Sequence, residues 1–157
     1  PPSPYPYPYP YPYPYPSRRR IGAELQKEDA GVSVTRLRNL IEEARTGGIS
    51  DSSIPIAERK VIRLEQERAD AKDQLEALLR RRGEAASADD DADLLQRTVT
   101  ALEFAREVGS EAYGCSRGSV ESWRAQNATL RARELEELKT QRAREVRQKR
   151  RDRRMGL

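Results

Sequence analysis

VTRLRNLIEEARTGGISDSSIPIAERKVIRLEQERADAKDQLEALLRRR, residues 34–82, carries two apolar stripes at steps of three and four on either side of one glycine pair. Val34, Leu37, Ile41 and Ala44 form the first stripe, widened by Leu40. Such spacing puts them on one face of an amphipathic helix. Ser33 stands where a side-chain oxygen can cap the first turn, and Gly47-Gly48 supplies the left-handed backbone that ends a helix. The second stripe runs Ile54, Ala57, Val61, Leu64, Arg68, Ala71, Leu75, Leu78, a heptad pattern in which only Arg68 is polar. Arg80, Arg81 and Arg82 then sit where a helix dipole favours cations, and Gly83 follows.

Two amphipathic helices joined by so short a loop are expected to fold back as an antiparallel hairpin over 33–82. The second helix is the longer, so its distal half is expected to need a partner outside the hairpin. Folding the hairpin alone costs conformational entropy that its modest seam does not comfortably offset, which predicts a partner-dependent unit.

Downstream, EAASADDDAD (84–93) reads as an acidic linker within a boundary at 83–93. Leu95, Val99, Leu102 and Ala105 restart the helical period. NLIEEARTGG (39–48) lines up with TALEFAREVG (100–109), Gly48 falling over Gly109. That likeness predicts either two helical hairpins in tandem or an equivalent extended array, the second over 94–138. A loop holding Tyr113, Gly114 and Cys115 is expected before a fourth helix from Ser119, with Val120, Trp123, Leu130, Leu135 and Leu138 on its apolar side. The pattern I-x-x-A-x-x-x-G-I followed by a long heptad helix looks like the helical hairpins of many scaffold proteins.

Both ends differ in kind from this middle. PPSPYPYPYPYPYPYP (1–16) alternates tyrosine with proline, which denies it a helix or a central strand. With Arg18, Arg19 and Arg20 it reads as a disordered, extended arm over 1–20 that ends in a basic clamp. At the other end, residues 139–154 hold nine Lys or Arg against Glu145 and Asp152, a net +7 in a chain of net charge +4. The basic C-terminal helix or tail, 139–157, is polar on every side and is not held by burying a stripe of its own. An anionic partner facing Arg142, Arg144, Arg147, Lys149, Arg150, Arg151, Arg153 and Arg154 would supply what is missing: RNA or DNA phosphates, or an acidic protein face such as a filament.

Catalysis finds little support in this chain of 157 residues. It has no histidine and one cysteine, Cys115, so histidine acid–base chemistry and the usual zinc sites lack their side chains. Neither G-x-x-x-x-G-K-[ST] nor G-x-G-x-x-G occurs, and no carboxylate sits in apolar sequence that would raise its pKa. No enzyme activity, cofactor, metal or small-molecule substrate is expected. No apolar run is long enough to span a membrane. An intracellular, reducing compartment is expected, either cytoplasm with its cytoskeleton or axoneme, or an organelle. The first residue is Pro, which reads as a processed product or a fragment.

GCSRGSVESWRAQ (114–126) resembles the turn and recognition helix of helix-turn-helix DNA-binding proteins, with Gly114 in the turn and Val120 inward. The resemblance implies a DNA-binding protein using 106–126, with Arg117 and Arg124 approaching the duplex. The first reading is different: an all-α structural subunit of a large assembly, a lattice or an RNA–protein particle. Its neighbours would pack on the seam Val34, Leu37, Ile41, Ala44, Ile54, Ala57, Val61, Leu64, Ala71, Leu75, Leu78, Leu102, Trp123, Leu130 and Leu138.

Overall fold

The computed structural model describes residues 16–156, so the Tyr-Pro arm over 1–15 lies outside the described residues. The described chain is all-helical, with five α-helices: α1 (Pro16–Gln26), α2 (Val34–Thr46), α3 (Ser53–Arg81), α4 (Ala88–Glu107) and α5 (Glu111–Arg154). Single 3-10 turns lie at Asp29–Gly31 and Arg82–Glu84. The chain divides into two compact units, one of Pro1–Asp70 with Arg106–Ser110, the other of Ala71–Ala105 with Glu111–Leu157.

In the first unit, α2 begins as its sequence demands. The Ser33 hydroxyl accepts the Arg36 N–H at 3.3 Å. It ends on a Schellman motif: Gly48 takes φ +70°, its N–H donates to the Arg45 carbonyl, and the Ile49 N–H reaches the Ala44 carbonyl. Ile49 then packs on the core beside Ala44. Arg38 pairs with Glu65 and Arg45 with Glu58. Each step of seven residues forward in α2 is thus seven residues back in α3, so the two helices run antiparallel. Between them lie Leu37, Leu40, Ile41, Ala44, Ile54, Ala57, Val61 and Leu64, all buried, with Val34 partly buried against them.

α1 takes the place of the basic end of the extended arm expected over 16–20. Residues 16–20 are instead helical, since a proline at the first helical position costs no hydrogen bond and has the φ a helix needs. Ile21 is buried in the core and Leu25 packs against it. Glu24 is buried too, its carboxylate 2.7 Å from Lys27 Nζ and 3.6 Å from Arg36 Nε.

Arg68 accounts for its own interruption of the heptad. Its Nε donates to the Val108 carbonyl at 2.7 Å, and its Nη2 to the carbonyls of Asp29 and Val32, both at 2.9 Å. Ser110 Oγ donates back to the Arg68 carbonyl at 3.2 Å. One guanidinium therefore satisfies backbone acceptors of two separate connections, the 3-10 turn after α1 and the turn that ends α4. Gly109 makes this approach possible. Its φ is +72°, and a Cβ there would lie 2.9 Å from the Ala30 backbone and 3.0 Å from Arg68 Nη2. Gly48 and Gly109, matched in the sequence alignment, share the left-handed conformation, but only Gly109 is closely packed.

A second ionic tie flanks the same turn. Arg63 Nη1 and Nη2 donate to the two Asp29 carboxylate oxygens at 2.9 and 3.1 Å, and Lys60 Nζ lies 3.4 Å away. The hydrogen bond from Arg63 holds the Asp29 carboxyl below its ordinary range, with Lys60 helping. A carboxyl that titrates lower when folded contributes stability above its unfolded pKa and loses it as pH falls through the folded value.

In the second unit α3 continues with Ala71 and Leu75, both fully buried. This corrects the expectation that the distal half of the second helix waits for an outside partner: the chain itself covers it. The boundaries also differ from those read in the sequence. α4 starts at Ala88, capped by Ser87 Oγ accepting the Asp90 N–H at 3.1 Å, so Asp89, Asp90 and Asp91 form its first turn and not a linker.

Two outcomes check this description. Replacing Arg68 by Leu completes the heptad, and on pattern alone should strengthen α3; the carbonyls it would strand predict instead a loss of about 2 to 3 kcal/mol in chemical denaturation. In an acid titration followed by circular dichroism, Asp29→Asn should lose less stability than the parent as pH falls below about 4, the ordinary range of the carboxyl.

Candidate interaction helix

α5 is one helix of 44 residues, and it is built in two halves. In the first half Ala112, Ser116, Val120, Trp123 and Asn127 are buried at steps of four and three. The second half, residues 128–151, is exposed at every position. At 1.5 Å per residue, the stretch from 128 to 154 extends about 40 Å.

The expected loop around Tyr113, Gly114 and Cys115 is absent, since all three are helical and the connection between α4 and α5 is residues 108–110. Gly114, which the helix-turn-helix resemblance puts in a turn, is the fourth residue of α5. Arg117 is held on its own helix by Glu121 at 2.9 Å. The single left-handed residue here is Gly109, five positions earlier, which places the break between α4 and α5 at 108–110 and leaves 114–126 continuous helix.

A polar cluster fastens the first half of α5. Trp123 is buried, and its Nε1 donates to both oxygens of the Asp91 carboxylate at 3.1 Å. Asn127 Nδ2 donates to the same carboxylate at 3.2 Å. The Arg82 guanidinium lies 5.3 Å from the centroid of the Trp123 ring, a cation–π distance, and Arg82 also pairs with Gln126. Asp91, expected as linker charge, and Arg82, expected only as a cation at a helix end, both serve the Trp123 side chain. The only hint was a lone tryptophan with an indole N–H to satisfy once buried.

Beyond Asn127 the packing stops. Leu130, Leu135, Leu138 and Val146 are 46%, 59%, 50% and 51% exposed. Leu130 and Leu138 therefore stand on open helix, whereas Leu37, Ile41, Ala44, Ile54, Ala57, Val61, Leu64, Ala71, Leu75, Leu102 and Trp123 of the sequence-read seam are buried inside the chain and Leu78 is partly so. Arg142, Arg144, Arg147, Lys149, Arg150, Arg151, Arg153 and Arg154 are all exposed. Polar contacts beyond 140 are sparse: Gln148 Nε2 donates to Asp152 Oδ1 at 2.9 Å.

Position around the helix gives this half an order that composition hides. At about 100° per residue, Leu130, Glu134, Leu138, Gln141, Glu145, Gln148 and Asp152 continue the face that Ser116, Val120, Trp123 and Asn127 bury. The nine cations of 139–154 take up the remaining arc of about 220°, with Ala143 and Val146 near its middle. Several of them repel along the helix, as Arg147 with Arg151 and Arg150 with Arg154 are four residues apart, each such pair costing about 0.2 to 0.5 kcal/mol.

Other surfaces have less form. The depression along α3 is lined by Arg59, Ile62, Arg63, Gln66, Glu67 and Asp70, and that near the end of α2 by Asn39, Glu42, Glu43, Thr46 and Gly47. Each is one flank of a single helix. Cys115 is exposed. Among the described residues no group of three or more acidic or sulfur side chains could hold a metal ion. No described helix is long and apolar enough to cross a membrane. Comparison with known proteins matches no family model, no curated protein and no solved structure.

Trp123 is the chain's one tryptophan, so its emission reports on this cluster alone. Asp91→Ala strands the buried indole N–H and Asn127 amide, and should cost about 1 to 3 kcal/mol in an unfolding curve read by tryptophan fluorescence.

Proposed function

We propose that this protein is a non-enzymatic structural subunit of a larger assembly, in which a small helical body presents the second half of α5 to its partners. The antiparallel α2–α3 pair acts as a coiled-coil-like hairpin whose seam is spent on the chain's own core. Contacts with a neighbouring helix then fall to Leu130 and Leu138, which continue the packed face of α5 and have nothing over them. The basic end, 139–154, engages an anionic partner.

The observation that carries this reading is the uninterrupted exposure of residues 128–151 within a continuous helix. An isolated helix of that composition gains little from its own side chains, and the repelling arginines lower its stability further. Neutralisation by a polyanion removes that repulsion and releases counterions, so the segment is most stable when bound. An enzyme reading gains no comparable support from the depressions on α2 and α3, which lack convergent catalytic groups.

Among the described residues, ending the chain after Leu138 removes none that is buried. The shortened protein should keep the unfolding midpoint and Trp123 emission of the full chain, yet lose retention on an immobilised polyanion at about 0.15 M salt. Equal retention of both forms would overturn the assignment of the contact to 139–154.

A further inference from the structure

The arc of charge on α5 narrows the kind of polyanion, and this step rests on the reading that 139–154 engages one. A flat acidic surface, or a second helix laid alongside, meets only one side of a helix. A basic arc of about 220° would leave a large share of its cations facing solvent in either arrangement. A lipid surface would require an apolar face to enter the bilayer boundary, and 139–154 offers only Ala143 and Val146. A second copy of the chain would bring like charges together, since the same arc lies on both helices.

A groove with negative walls on two sides is the shape that serves the whole arc. We propose that residues 139–154 of α5 lie in the major groove of duplex DNA. The B-form major groove is about 12 Å wide and admits one α-helix, whereas the A-form groove of an RNA duplex is too narrow and deep for one. Arg144, Arg147 and Arg151 lie toward one edge of the arc, and Arg142, Lys149 and Arg153 toward the other. They reach the phosphates of the two opposite groove walls. Lys139, Arg150 and Arg154 lie between them, beside Ala143 and Val146, which are small enough for the helix to sit deep. Gln141, Glu145, Gln148 and Asp152 then point out of the groove, on the side that the first half of α5 uses for its own core. The lone carboxylates are thereby kept from the phosphates. Phosphate contacts dominate such an arrangement, so binding should be strongly salt-dependent and only weakly selective for sequence.

The test uses the full chain and a mixed-sequence DNA duplex of about 20 base pairs, a length sufficient to span the contact of one helix. The single strand, an RNA duplex of the same sequence and poly-glutamate serve as competitors, and binding is read by fluorescence anisotropy across a salt series. Two triple variants separate a groove from a flat surface: Arg144→Gln with Arg147→Gln and Arg151→Gln, and Arg142→Gln with Lys149→Gln and Arg153→Gln. All six side chains are exposed, so circular dichroism and Trp123 emission should stay as in the parent. In a groove each triple loses affinity on the order of 100-fold at about 0.1 M salt, and each lowers the salt slope by about 2 to 3. Loss with one triple alone, or tighter binding to the single strand, the RNA duplex or poly-glutamate, overturns the groove. Binding to one of those competitors without binding to duplex DNA leaves the polyanion reading intact, while failure of every polyanion to bind ends both.

Discussion

One guanidinium holds the first unit together. Arg68 reaches three backbone carbonyls, of Asp29, Val32 and Val108, that belong to chain segments far apart in sequence. A turn of backbone tucked against a helix carries acceptors that water no longer serves, and each must find a donor. An apolar residue at 68 would extend the stripe of α3 and leave those acceptors unmet. Gly109 is the other half of the same constraint, since only a residue without Cβ lets the backbone after α4 come this close to Ala30 and Arg68.

The second unit uses the same device with the signs exchanged. Asp91, in the first turn of α4, receives the indole N–H of Trp123 and the amide of Asn127. Arg82, after α3, lies over that indole ring, 5.3 Å from its centroid. Three helices are thus joined by one carboxylate and one guanidinium around a single aromatic side chain. This compensates for a chain so poor in aromatic residues, in which small and aliphatic side chains fill most of the core. Once the cluster ends at Asn127, α5 has no further packing to gain, and it continues only as exposed helix.

Much of the helical content was legible in the sequence because it rests on local rules. Ser33, the Gly47-Gly48 pair and the three–four spacing of Val34 to Ala44 act within a few residues of one another. What escaped were features set by distant contacts. α1 has only Ile21 and Leu25 as an apolar signature, and its proline start was read with the arm that precedes it. The helix through Gly114 was missed because glycines at 114 and 118 and serines at 110, 116 and 119 suggest a loop, while tertiary burial of Ala112, Ser116 and Val120 overrides that preference. The roles of Arg68 and Asp91 depend on residues tens of positions away. For the interaction helix, the charge of 139–154 was plain, but the face left free of it emerges only when Trp123 and Asn127 fix the rotation of α5.

The central claim is that α5 beyond Asn127 is helical, uncovered in the free chain and covered by a polyanion. Amide hydrogen exchange of the dilute full chain, with and without added duplex, tests it residue by residue. The account predicts weak protection from 128 onward, as in an uncovered helix that opens easily, beside slow exchange at Leu64, Leu75 and Val120, and stronger protection over 139–154 when duplex is present. Protection across 128–154 in the free chain equal to that of the buried positions, or no change on adding duplex or any of the competing polyanions, would contradict it.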